Sequence, residues 1–403
     1  MKNCRFNLLA ILLFAFSNLQ SQKSVRINEF GQNPGNLGMH LYSPANLNEN
    51  TKTPLVVVMH GCLQNAGVVA KQTGWNTLAD KYGFRVLYPQ QRMSNNSTLC
   101  FCWYQNKDIE KNKGEAFSVK QMIDYVQLNN QIDSTKIFIT GLSAGAAMSV
   151  ALMADYPETF NAGAIFAGAP YKVATNFWTA IMAFYGWRIK SPEKWGKLVR
   201  EQNRDYKGKY PRMIIYQGKI DVVVNQRNGN QLMKQWTNLH GISTIPSVSI
   251  KHFAQCKAVE KNIYRSNDST VAVIYYKVKR LGHALLVDPG KCETQGGKRT
   301  MFSADKNYFS TYRTAVDFGL IHPAEIKGKN VLRKNEKENV YSVPQNSGST
   351  YEWKVAGGGK IVSGNGTNSI TLNWGERAGN IDVLEQNGKC KTPYATFYVG
   401  LAK

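Results

Sequence analysis

Six short apolar, strand-like runs, at residues 55–59, 85–88, 136–140, 162–167, 212–216 and 271–278, alternate along the chain with stretches of helical period at 67–82, 115–130, 144–155, 225–239 and 304–319. A strand that is apolar on both faces must be covered on both faces, and a crossover helix between parallel strands does the covering. The alternation therefore predicts an α/β fold with a mostly parallel central sheet between two layers of helices. After residue 320 the pattern changes. A polar, charged stretch at 321–339 reads as a linker, and from 340 to 403 short alternating strands (YSV, STYEWKV, KIVSG, SITLNW, NIDVLEQ, TFYVG) are broken by Gly, Asn and Ser turns, which predicts a small all-β sandwich.

The first residues, MKNCRFNLLAILLFAFSNLQSQ, place Lys2 and Arg5 ahead of an apolar stretch at 6–16 that ends in Ser17, Asn18 and Gln20. Residues 1–21 are thus expected to be a signal peptide, and the mature protein to be secreted, extracellular or periplasmic. Neither that stretch nor any later one reaches the roughly 20 apolar residues of a membrane-spanning helix, so no transmembrane segment is expected. The remaining chain is longer than one hydrophobic core usually organises, which fits two domains.

Six cysteines follow the leader: Cys62, Cys100, Cys102, Cys256, Cys292 and Cys390. In an exported chain they permit disulfides. The expected pairs are Cys62 with Cys102 or Cys100, and Cys256 with Cys292; no spacing fits a zinc site, and no metal or cofactor is expected. The net charge of +23 favours anionic surfaces in a general way. Its Lys and Arg residues are spread along the chain without a nucleic-acid-binding motif, so no nucleic-acid partner is expected, and the protein is expected to be a monomer.

The strand at 136–140 runs into Gly141-Leu142-Ser143-Ala144-Gly145 and then a helix-forming stretch. A nucleophilic serine must protrude from a sharp turn, and small flanking residues let chain and substrate approach. The helix behind Ser143 would aim the Ala144 N–H at a developing oxyanion. Such a serine needs a base and a group that orients the base. Among the histidines that follow, His283 stands in the small turn Leu281-Gly282-His283-Ala284 after a strand, with His252 the rival; His240 reads as a helix cap and His322 lies at the linker. Asp221 directly follows the strand at 212–216, in a loop opened by Gly218, and is the expected acid. Upstream, the buried strand at 55–59 ends in His60-Gly61-Cys62, which makes the Cys62 amide the second expected oxyanion donor and gives His60 the task of holding that loop.

H-G-C-L-Q at 60–64, G-W-N-T-L-A-D at 74–80, C-W at 102–103, T-G-L-S-A-G at 140–145, G-x-x-D at 218–221, and G-H-A with D-P-G within 282–290 together resemble the poly(3-hydroxybutyrate) depolymerase family of α/β-hydrolase esterases, which also contains feruloyl and acetylxylan esterases. The resemblance covers roughly residues 26–320 and implies an α/β-hydrolase esterase domain over 22–320, with Ser143 as nucleophile, Asp221 and His283 as its relay partners, and Cys62 and Ala144 as oxyanion donors. Two positions depart from the family pattern: Gln217, where histidine is frequent, and Ala146, where glycine is frequent. The C-terminal part looks like a PKD-like module, with Trp353 and Trp374 expected in its core. The expected activity is hydrolysis of a polyester or oligoester through an acyl-enzyme. The alternatives are a feruloyl or acetylxylan esterase acting on plant polysaccharide and a non-catalytic polymer-binding protein on the same scaffold. Gln64, Trp103, Tyr104 and Tyr171 are the expected substrate-binding residues, with Trp178 a further cleft aromatic.

Overall fold

The computed structural model describes residues 24–402 other than residue 395, so the expected signal peptide lies outside the described residues. Among the described residues ten strands form one sheet: β1 (Val25–Ile27), β2 (Gly38–Tyr42), β3 (Thr53–Met59), β4 (Arg85–Gln90), β5 (Ile132–Leu142), β6 (Ala162–Phe166), β7 (Arg212–Gly218), β8 (Val248–Lys251), β9 (Val259–Arg265) and β10 (Val271–Val278). Their order is β1-β2-β4-β3-β5-β6-β7-β10-β9-β8. The inner pairs from β4 to β10 are parallel, and each is built from an apolar run seen in the sequence. Antiparallel strands extend both edges. These escaped sequence reading because they are short, or are interrupted by polar residues as in VEKNIYR of β9.

Successive residues of the inner strands enter opposite cores, as the two-residue period of a strand requires. Val57, Ile139, Ile215 and Val273 pack on one face; Val58, Phe138, Ile214 and Ile274 pack on the other. Phe166, Tyr216 and Tyr276 stand in register on β6, β7 and β10 and stack at 4.4 and 4.3 Å. Such cross-strand aromatic pairs stabilise a sheet beyond the area they bury.

The fold positions a site through strand order. β4 lies on one side of β3 and β5 on the other, so the chain leaving β3 and the chain leaving β5 diverge and open a crevice at their carboxyl ends. Met59 and Leu142 are those ends, followed by His60-Gly61-Cys62 and by Ser143.

The helix expected over 304–319 is shorter, Ser310–Phe318, because Ser303–Asp305 forms a two-stranded ribbon with Leu285–Val287. The stretch 321–339 is also more than a linker: Val331–Leu332 pairs with Phe397–Leu401, and Ile326 and Leu332 are buried in the C-terminal core. That module carries a three-stranded sheet (Asn339–Ser342, Ser369–Trp374, Gly359–Ser363) and a larger one containing Ser349–Ala356 and Gly379–Asn387. Trp353 and Trp374 are buried in its core, each with its indole N–H donated to a backbone carbonyl, of Thr367 and Arg377.

The disulfides correct one expectation and decide another. Cys62 pairs with Cys100, whereas Cys292 pairs with Cys390 rather than Cys256 and staples the α/β body to the module. Among the described residues Cys102 and Cys256 are free and buried.

Candidate active site

Ser143 joins β5 to the helix Ala144–Asp155 with φ 58° and ψ −121°, a left-handed backbone that non-glycine residues adopt only where surrounding structure holds it. The holding is visible: its N–H donates to Phe166 O on β6 at 3.0 Å. Packing explains the flanking glycines. A Cβ on Gly145 would lie 2.3 Å from His60 O, and one on Gly141 would lie 2.5 Å from Gly145 O. The helix start is pressed against the end of β3, which is how the serine and the His60-Gly61 loop come to share one edge. Ala144 is the first residue of the helix, so its N–H has no intrahelical acceptor and points out of the helix start.

His60 is fully buried and holds this loop, as expected. The Gln91 amide donates to His60 Nε2 at 3.0 Å, so the ring proton sits on Nδ1 and is donated to Gly61 O at 2.7 Å. Burial pushes its pKa down to about 4, which keeps the ring neutral. The neighbouring residues form a braced network. Gln91 Nε2 and the Cys102 N–H both donate to Glu115, whose carboxyl is raised to about 7 by burial. Burial also raises the Cys102 thiol to about 12, which leaves it protonated and unreactive. The Cys62–Cys100 disulfide closes the loop over this brace.

Across the crevice, the loops after β7 and β10 lock together. A Cβ on Gly218 would lie 2.2 Å from Leu281 O, and the Ile220 N–H donates to the same carbonyl at 3.2 Å. The contact delivers His283 to Asp221. His283 Nδ1 lies 2.9 Å from Asp221 Oδ2, with the carboxylate side chain wholly buried. Asp221 Oδ1 accepts the N–H groups of Val223 and Val224 at 2.9 Å each, and Gln217 Nε2 reaches Oδ2 at 3.4 Å. With its proton held on Nδ1, the imidazole has Nε2 left as a base. The rival histidines make no such contact with Asp221: His240 contacts Pro211 O, and His252 and His322 are exposed.

A recess of about 10 Å³ opens beside Ser143, walled by Trp103, Phe184, Val224 and Asn228 and floored by alanines that include Ala144 and Ala169. Trp103 is thus brought to the site, edge-on to Phe184 at 5.7 Å. Tyr104 packs edge-on against Trp103 rather than lining the recess. Two expected substrate-binding residues are corrected. Tyr171 is buried in the core, its hydroxyl bonded to Ile109 O and Gln202. Gln64 is also internal: its Oε1 accepts the Gly61 N–H at 2.9 Å, and its Nε2 donates to Gln72. Trp178 stands 75% exposed on the helix Phe177–Phe184. Phe184, Val224 and Asn228 were not foreseen, because loops and a helix distant in sequence bring them together. The small-residue run Ala167-Gly168-Ala169 at the end of β6 was the available signal. A larger cleft of about 690 Å³, lined by Lys257, Lys306, Lys389 and Lys391, contains none of Ser143, Asp221 or His283. Among the described residues no group of three or more side chains could hold a metal ion.

Comparison with known proteins gives two family matches, "Esterase PHB depolymerase" over residues 37–251 and "PKD-like domain" over residues 320–399. The chain is 37% identical over 312 residues to poly(3-hydroxyalkanoate) depolymerase C of Paucimonas lemoignei, an alignment covering 77% of this chain and 74% of that protein. It is 30% identical over 243 residues to feruloyl esterase B of Talaromyces stipitatus, covering 59% and 66%. Among solved structures, an acetyl xylan esterase from Aspergillus awamori superposes with a TM-score of 0.60 at 27% identity, covering 65% of this chain and 94% of that one.

Proposed function

The chain belongs to the PHB depolymerase family of esterases and is a carboxylic ester hydrolase, and from that premise we propose that Ser143, His283 and Asp221 perform the hydrolysis on a short aliphatic polyester or oligoester. His283 Nε2 takes the Ser143 proton as Oγ attacks the ester carbonyl. The Ala144 and Cys62 amides receive the oxyanion, and the alcohol leaves with the proton that His283 returns. Water then repeats the sequence on the acyl-enzyme and releases the acid. Asp221 fixes the imidazole tautomer and stabilises the imidazolium.

The observation that carries this reading is the 2.9 Å bond that His283 Nδ1 donates to a wholly buried Asp221 carboxylate. Its strand-end loops lie in the same sheet as the strained Ser143 turn. Asp221 is bonded on its other oxygen by two backbone amides, which fix the carboxylate so that it orients its partner. The recess beside Ser143, about 10 Å³ with alanines on its floor, supports a short acyl group over the aromatic acyl group of a feruloyl ester. An acetyl group would also enter it, and acetylxylan is the second reading.

The protein is proposed to act outside the cytoplasm, as its N-terminal sequence and two disulfides support. Among the described residues no helix is long and apolar enough to cross a membrane. Hydrolysis of p-nitrophenyl butyrate tests the mechanism. Ser143→Ala should fall to background and Asp221→Asn should lose about 10⁴ in kcat, while activity that survives Ser143→Ala would exclude it.

A further inference from the structure

We propose that Asn228 selects an acyl group that carries a free hydroxyl, so that the enzyme works from the hydroxyl end of its ester chain. The inference rests on Ser143 being the nucleophile. Asn228 is 1% exposed and forms part of the wall of the recess at Ser143. Its amide orientation is fixed by two donations from Nδ2, to Ala183 O at 2.7 Å and to Asn225 O at 3.1 Å. That leaves Oδ1 buried with no hydrogen-bond partner among the described residues. Buried polar atoms are rarely left so, and an exception at a functional site asks for a ligand group.

The chemistry of that group follows from size and from hydrogen-bond type. Oδ1 is an acceptor, so the group must be a donor. A recess of about 10 Å³ is close to the volume that holds one water-sized oxygen. A hydroxyl fits both requirements; an acetyl or alkyl acyl group offers no donor, and a phenolic ring does not fit the space. Because the recess is also lined by Ser143, the hydroxyl must lie within a few atoms of the carbonyl under attack. Interior units of a hydroxyacid polyester have no O–H, since each is esterified. Only the terminal unit presents one.

The reaction that results releases one unit per cycle. The Ser143 Oγ–acyl bond forms to the terminal hydroxyacyl carbon as the ester C–O bond breaks, and the shortened chain leaves as an alcohol carrying the proton from His283. Water then cleaves the acyl-enzyme to give the free hydroxyacid and restores the Ser143 hydroxyl.

The test compares kcat/KM for p-nitrophenyl 3-hydroxybutyrate and p-nitrophenyl butyrate, a ratio that a reduced amount of folded enzyme does not change. Wild type should favour the hydroxylated ester by about tenfold or more, and Asn228→Leu should bring the ratio close to one. The methyl ester of a linear hydroxybutyrate trimer should release free hydroxybutyrate and leave the dimer methyl ester, and methylation of its terminal hydroxyl should slow cleavage by a similar factor. A wild-type ratio near one, or a ratio unchanged in Asn228→Leu, would overturn the assignment and leave Asn228 Oδ1 as a group served only by water. Activity remaining in Ser143→Ala would instead remove the nucleophile on which the proposal stands.

Discussion

His60 shows how a residue beside the chemistry can be structural and still govern it. Its ring is neutral because burial holds its pKa near 4, whereas in the unfolded chain it titrates at about 6.5. Between those values the unfolded state binds a proton that the folded state does not, so stability is lost as pH falls from about 6.5 to about 4. His60→Asn, which keeps a donor and an acceptor but does not titrate, should reduce the slope of unfolding free energy against pH by up to about 1.4 kcal/mol per unit in that window. Urea unfolding at pH 4.5, 5.5 and 6.5 would measure it, and an unchanged slope would mean that another group carries the acid sensitivity. At this scale much was legible in sequence. Ser143, Asp221 and His283 stand at strand ends in the order that the hydrolase chemistry uses, and their positions relative to strands are local properties. Asn228 was not legible, because its unpartnered oxygen exists only once the helix Arg227–Leu239 is packed under Ala183 and beside the Ser143 turn.

The loop between β3 and the helix Ala66–Thr73 is an element with no regular structure, and it is positioned by a chain of side-chain amides. Gln64 holds the Gly61 N–H, Gln72 holds Gln64, and Gln72 Nε2 donates to Phe302 O at 2.7 Å. The Cys62–Cys100 disulfide and the Leu63 N–H bond to Thr98 O at 2.7 Å tie it from the other side. Cys100→Ser keeps the Cys62 amide but frees its loop. We expect kcat to fall by about tenfold with KM little changed, because a looser donor costs transition-state stabilisation more than ground-state binding. An unaltered kcat would place the second oxyanion donor elsewhere. Sequence reading located this loop from its strand but assigned Gln64 to substrate. An amide side chain next to a strand-end loop reads the same whether it faces the cleft or the core, and only packing decides. The inner strands were legible because burial on both faces leaves largely apolar runs, while β8 is only four residues long and β9 is interrupted by Glu260, Lys261 and Asn262, which hides its period.

In the whole molecule, a hydrolase body and a PKD-like module are joined by the Cys292–Cys390 bond, which closes a separation of 98 residues. No spacing rule could have chosen that pairing over Cys256 with Cys292, since it depends on where a separate module docks. A cross-link over so long a segment restricts the unfolded chain, so Cys292→Ser with Cys390→Ser should lower stability by about 2–4 kcal/mol. Because the bond lies outside the elements that carry Ser143, Asp221 and His283, kcat on a soluble ester should be unaffected; thermal unfolding and an esterase assay on one preparation would check both. The central claim, that Ser143 is the nucleophile activated by His283 and Asp221, is tested most directly by the mass of the intact protein after treatment with an organophosphonate ester inhibitor. The account predicts one phosphonyl group per chain, mapped to Ser143, with labelling strongly slowed in His283→Ala. An adduct on another residue, or an unlabelled Ser143 in protein that still hydrolyses p-nitrophenyl butyrate, would contradict it.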